Sequence, residues 1–284
     1  GGIIMTEAKV MTIQDISCYG QCSITVALPI ISACGIETAI LPSAVLSTHT
    51  GGFTNFTFRD LTEDIPKIMK HWISEGIKYD CIYSGYLGSL TQIEYVKELF
   101  KNLLKEGGLK IVDPAMADNG KLYYGFDEEF AHAMADLCGE ADIILPNITE
   151  ACFMCNKEFI PNQHTREYID DLLDALKELG AKNIVLKGVS YEDSKLGIIV
   201  YDTETSEKKE YFSERVAWTS HGTGDCYAAA LTGAVLQGKS LYDAAALAAD
   251  FVVEALKITQ GDDNHRYGVK FEKALPMLVE GLNK

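Results

Sequence analysis

Apolar positions follow two alternating rhythms along this chain. Short runs rich in Val, Ile and Leu at 9–15, 37–46, 80–88, 109–116, 141–147 and 183–188 predict strands. Between them, apolar residues spaced three and four apart predict helices over 23–34, 61–75, 91–106, 127–138 and 165–180. The strand interiors are apolar on both faces, as a parallel sheet covered on both sides requires. Repeated strand–helix alternation predicts an α/β fold, doubly wound, with a mostly parallel central sheet and helices on both faces. One segment departs from the rhythm. "KLGIIVYD" and "EKKEYFSERV" flank the turn-like "TETS" and predict a β-hairpin near 195–216, after which only helices follow, at 222–238, 241–259 and 269–282. With no linker, low-complexity tract or internal repeat, 1–284 is expected to be one domain, and Gly1–Ile4 ahead of Met5 reads as an artificial remnant.

Composition narrows the partners. The net charge of −16 argues against nucleic acid or anionic lipid, so an anionic ligand would need a local positive device or a metal ion. No apolar run reaches the ~18 residues of a membrane helix. The eight cysteines are scattered, and Cys152-Phe-Met-Cys155 lacks the second pair of a zinc site. They read as free thiols of a reduced, cytoplasmic protein, in which the sequons at Asn55 and Asn147 carry no glycan.

Ligands of open α/β sheets bind beyond the carboxyl ends of the strands, which here carry Asp15, Tyr86, Asp113, Asn147 and Lys187. The stretch "HGTGDCYAAALTGA" adds chemistry. Its alanine-rich part is helical by propensity, and the glycines before it let the amides of Gly222, Thr223, Gly224 and Asp225 converge where the helix dipole favours an anion. Asp225 in such a place is either the proton acceptor for an alcohol attacking a phosphoryl group or a plain helix cap. No P-loop motif and no G-x-G-x-x-G after the first strand occurs. Asn147-Ile-Thr-Glu150 is either a water-mediated Mg²⁺ site or a helix start with an acid in its first turn.

Together, Asn147-Ile-Thr-Glu150 and Gly222-Thr-Gly-Asp225 resemble the motif pair of the ribokinase-like superfamily of small-molecule kinases. "VMTIQD" with Gly20, "STHTGGF" at 47–53, "SGYLGS" at 84–89 and "DPAMADNGKLY" at 113–123 are similar to segments of its pyridoxal kinases. The resemblance spans about residues 10–260. It implies transfer of phosphate from ATP to the hydroxymethyl group of pyridoxal, pyridoxamine or pyridoxine. Asp225 would be the base and Gly222, Thr223 and Gly224 the anion hole. Asp15, Cys22, Leu46, His49, Thr50 and Tyr86 would bind the ring. Asp113, Asp118, Asn147, Glu150, Lys187 and Gly188 would serve ATP, with Asp113 and Glu150 on Mg²⁺. A monovalent cation and a homodimer are further implied features, with no nucleic-acid or membrane partner.

Two positions depart from that family. Asp15 stands where serine is common, and "VLKG" at 185–188 looks closer to hydroxymethylpyrimidine kinases of thiamine synthesis, which remain the alternative. A non-catalytic B6-binding protein on the same scaffold is the alternative of another class. His71, His132, His164 and His265 carry no readable role.

Overall fold

The computed structural model describes residues 7–284. Gly1–Ile4, the expected remnant, lie outside the described residues. The first strand, β1 (Lys9–Ser17), runs through the middle of a nine-stranded sheet. Helix α1 (Ile24–Ala33) then leads to β2 (Glu37–Leu46), parallel to β1. Next come β3 (Phe58–Asp60), α2 (Ile65–Ser74), β4 (Tyr79–Ser84) and α3 (Leu90–Leu103). The chain continues through β5 (Leu104–Val112), a small hairpin of β6 (Ala117–Asp118) and β7 (Lys121–Leu122), and α4 (Glu128–Gly139). Then follow β8 (Ile143–Ile144), α5 (Ile148–Cys155), α6 (Arg166–Lys177) and β9 (Asn183–Val189). The hairpin of β10 (Lys195–Asp202) and β11 (Lys208–Glu214) precedes α7 (Thr223–Leu236), α8 (Leu241–Thr259) and α9 (Phe271–Leu282).

Sheet order is β11-β10-β9-β8-β5-β4-β1-β2-β3, parallel from β9 through β2 and antiparallel at both edges. Alternate residues of β1 point to opposite cores, Met11 and Ile13 to one and Val10 to the other. The first core is closed by α2 to α6, the second by α1, α7, α8 and α9. The doubly wound architecture and the hairpin near 195–216 are therefore as expected. Among the described residues, no helix is long and apolar enough to cross a membrane.

The differences are local. The helix expected over 91–106 stops at Leu103, because Gly107 takes φ 73° and the chain is already extended at Leu104. The strand expected over 141–147 is continuous only at Ile143–Ile144, with one isolated bridge beyond it from Asn147 to Lys187. Pro146 has no amide to donate, and Asn147 is turned to start α5, a helix the periodicity did not indicate. The edge strand β3 was also unmarked by its three exposed residues.

Small residues set the position of α7. A Cβ added at Gly233 would lie 2.6 Å from Cys34 Sγ, so α7 lies against the end of α1 as only glycine allows. Its start is thereby brought over the carboxyl ends of the parallel strands.

Candidate active site

Gly222 caps α7 with φ 77°, and a Cβ there would sit 1.8 Å from Gln21 O. That close approach needs glycine for both reasons. The cap brings no side chain to the helix start, and the amides of Thr223, Gly224 and Asp225 find no acceptor among the described residues. Asp225 is the third residue of this uncapped helix. It is half-buried, and one carboxylate oxygen, Oδ2, accepts from the Ser23 amide at 2.8 Å. Burial pushes its carboxyl up to about 7, helped by Asp113 and Asp15 and opposed by the Ser23 amide and Lys187.

Asp15 occupies an irregularity in the pairing of β1 with β2, between Gln14 and Ile16. It is 6% exposed and accepts hydroxyls from Ser23 at 2.6 Å and Ser17 at 3.1 Å. Burial raises its carboxyl; the two serines pull the other way. Cys22 is half-buried beside Asp225 and Asp15, and burial with those charges keeps it a thiol. Tyr86 follows β4 with its ring 5.6 Å from Phe126, its hydroxyl pushed up to about 12 by burial and then by Asp15.

The other expected ring residues divide. Leu46 is buried at the end of β2, whereas Thr50 is exposed. His49 has neither ring nitrogen free: Nδ1 accepts from the Gly51 amide at 3.0 Å and Nε2 donates to Tyr267 O at 2.9 Å. Burial lowers its pKa, consistent with a neutral ring that ties the 47–53 loop to the chain before α9.

Lys187, near the carboxyl end of β9, is the hub of the second half of the site. Its ammonium lies 3.4 Å from Asp113 Oδ1, and a Cβ placed on Gly224 would stand 3.8 Å from it. Burial disfavours the Lys187 charge, yet Asp113 and Glu150 outweigh it and hold the ammonium above its ordinary value. Asp113 is raised by burial and partly restored by Lys187. Gly188 follows with φ 78°.

Asn147 and Glu150 form a complete capping box at the start of α5. Asn147 Oδ1 accepts the Glu150 amide at 2.8 Å, and Glu150 Oε2 accepts the Asn147 amide at 2.8 Å. Glu150 Oε1 takes the Met116 amide at 3.3 Å, while Asn147 Nδ2 donates to Ala117 O at 2.9 Å and so tethers the β6–β7 hairpin. On that hairpin, Asp118 is exposed and accepts from the Asn119 amide. Burial pushes Glu150 up to about 8, opposed by Lys187 and the two amides and aided by Asp113.

The helix-start and Mg²⁺ readings of this motif bear differently on the geometry. The capping box is present, and among the described residues no three ligating side chains gather around one point. Carboxylate oxygens suit Mg²⁺, but both Glu150 oxygens already hold amides. The donor set therefore fits an ion carried by nucleotide phosphates and water, with Asp113 Oδ2 an oxygen that has no partner among the described residues.

One residue escaped the sequence reading. Ser23 joins Asp15 to Asp225, yet as a serine before an apolar run its only signal was that of a helix cap.

A model of the family described as phosphomethylpyrimidine kinase matches residues 24–270. A crystal structure from Bacteroides thetaiotaomicron, described as a phosphomethylpyrimidine kinase in a form with pyridoxal, superposes with a TM-score of 0.90. It is 33% identical and covers 96% of each chain. The pyridoxal kinase of Lactobacillus plantarum superposes with a TM-score of 0.87 at 29% identity, over 97% of this chain and 98% of that one. The hydroxymethylpyrimidine/phosphomethylpyrimidine kinase of Bacillus subtilis is 27% identical over 267 residues, 92% of this chain and 87% of that protein.

Proposed function

We infer the reaction from the premise that the chain belongs to the phosphomethylpyrimidine kinase family and is a small-molecule kinase of ribokinase-like fold. The reading best supported is ATP-dependent phosphorylation of the hydroxymethyl group of pyridoxal, pyridoxamine or pyridoxine. One observation carries it: Asp225 stands on an uncapped helix start with its carboxyl at about 7. A base is most effective with a pKa near the working pH, and the open amides beside it are donors for the charge of a phosphoryl group.

In this reading Asp225 Oδ1 takes the proton of the ring's hydroxymethyl group, because Oδ2 is held by Ser23. The amides of Thr223, Gly224 and Asp225 receive the phosphoryl oxygens, and Lys187 adds a fixed positive charge at the same point. Asp113, Asp118, Asn147, Glu150 and Gly188 shape the nucleotide side. Mg²⁺, held through water by Asp113 and Glu150, would neutralise phosphate charge, as a chain of charge −16 requires. Leu46, Cys22, His49, Thr50 and Tyr86 surround the ring. Asp15 faces the ring nitrogen as an acceptor, so it favours a pyridinium N–H or a ring amino group. A cytoplasmic homodimer that meets neither nucleic acid nor membrane completes the reading.

The acceptor character of Asp15 also favours a second substrate, the aminopyrimidine alcohol, in keeping with the Bacillus subtilis relative. Incubation with MgATP and each alcohol in turn, with ADP and phosphorylated ring quantified, separates them. The highest kcat/KM is expected for a B6 alcohol. A higher value for the aminopyrimidine moves the substrate, and no transfer to any of them overturns the reading.

A further inference from the structure

Ser23 grips both carboxylates on the acceptor side of the cleft. Its amide donates to Asp225 Oδ2 at 2.8 Å, and its hydroxyl donates to Asp15 Oδ1 at 2.6 Å. The residue is 5% exposed.

Two features show that this grip is held against local preference. The backbone sits at φ 53°, ψ −135°, a conformation disfavoured for any residue with a Cβ. Ser23 is also the N-cap of α1, where a serine oxygen ordinarily accepts an amide of the first turn; here it caps none. The hydroxyl is spent on Asp15 instead.

We propose that Ser23 is a positioning residue that links the ring pocket to the base and tunes that pocket for a ring presenting an N–H donor. The proposal rests on the assignment of Asp15 to the ring and Asp225 to the hydroxymethyl group. Its physical basis is the hydrogen-bond inventory. The Ser23 and Ser17 hydroxyls both donate to Asp15 and oppose the burial that raises its carboxyl, so they favour the ionised form that only accepts, toward which an entering ring brings the proton. The groups facing Asp15 are Ser17 on its own strand, Ser23, Cys22, His49, Tyr86 and Asp225. Asp15 and Asp225 repel, and a donor ring lying on Asp15 weakens that repulsion. Meanwhile the Ser23 amide leaves Asp225 Oδ1 as the oxygen without a partner among the described residues. A ring seated on Asp15 thus meets a base whose reactive oxygen is already chosen.

Ser23→Gly is the informative variant. It removes the hydroxyl, keeps the amide and suits the positive φ, so Tm is expected to hold or rise. A lost hydrogen bond to a charged partner corresponds to roughly 10-fold or more in KM for the ring alcohol. We expect that increase with kcat within about threefold and KM for ATP unchanged. Removing a donor raises Asp15, so the acid limb of kcat/KM should move to higher pH. The acid limb of kcat belongs to Asp225 and should stay near 7, because the amide remains. Combined with Asp15→Asn, Ser23→Gly should cost nothing further.

A folded Ser23→Gly protein with wild-type KM and wild-type acid limbs overturns the proposal. So does an equal KM penalty in the Asp15→Asn background. ATP-free titration of the ring alcohol gives an independent reading of the same binding change. Wild-type protein that phosphorylates no ring alcohol removes the functional reading and this inference together; active wild type with an indifferent Ser23→Gly removes the inference alone.

Discussion

Two helices begin at this cleft with an acid at their third position, and they use it in opposite ways. At α5, Asn147 and Glu150 satisfy each other's amides, and Glu150 also takes the Met116 amide. At α7, Gly222 offers no side chain, and the amides of Thr223, Gly224 and Asp225 are left open among the described residues. Both carboxyls are raised by burial, to about 8 and about 7. The closed start spends its acid on structure and anchors the β6–β7 hairpin. The open start keeps both its amides and one carboxylate oxygen for a ligand. An acid in the first turn is thus no sign of chemistry by itself; what matters is whether the cap has already used it.

The comparison breaks most sharply at Asp225. Asp225→Asn should lower kcat by ~10²–10⁴ while the Ser23 amide still finds an oxygen. Thermal stability should hold or rise at pH 8. The raised carboxyl favours its neutral form, so its contribution is complete below the ordinary value of 3.8 and is lost as pH climbs through about 7. Unchanged turnover in the folded variant would reduce α7 to the same structural role as α5.

Acid titration tests the same point without mutation. The base form of Asp225 disappears below about 7, so kcat should fall ~10-fold per pH unit on the acid side. A flat kcat profile from pH 5 to 8 would detach the base from this carboxyl.

The open cap is the third target. Gly222→Ala adds a Cβ at φ 77° and 1.8 Å from Gln21 O, so the amides must shift. Strain of ~1–2 kcal/mol corresponds to about a tenfold loss or more in kcat/KM for ATP. Wild-type ATP kinetics would mean that those amides do not serve the phosphates.

The smallest catalytic effect is expected at the closed start. Glu150→Ala removes half the capping box and leaves two amides without acceptors, a cost of ~1–3 kcal/mol seen as a fall in Tm. Turnover at saturating Mg²⁺ should stay within several-fold, and a Mg²⁺ titration should show a higher half-maximal concentration. A kcat loss rivalling that of Asp225→Asn would give Glu150 a chemical role instead.

Much of this was legible before folding. The six parallel strands, the hairpin and the glycines of 222–224 are written in period, β-branching and turn chemistry, all of which act within a few residues. The motif at 147–150 was legible as two alternatives; separating them needed Met116 and Ala117, which lie 34 and 30 residues from their partners in sequence and meet them only in space. The placement of His49 is similar. Its segment was recognisable, but the partner of its Nε2 is Tyr267, 218 residues along the chain.

Local pattern by itself determined the layer architecture and the existence of an amide-rich helix start preceded by glycines. Those follow from backbone geometry and side-chain period, which no distant contact has to supply. Only the tertiary structure decided which acid would be a cap and which would be free. The same holds for the pairing of Lys187 with Asp113 and for the contortion of Ser23 to join Asp15 with Asp225. Burial and charge at those positions are set by residues remote in sequence, so their ionisation becomes defined only when the strands and helices have brought them together.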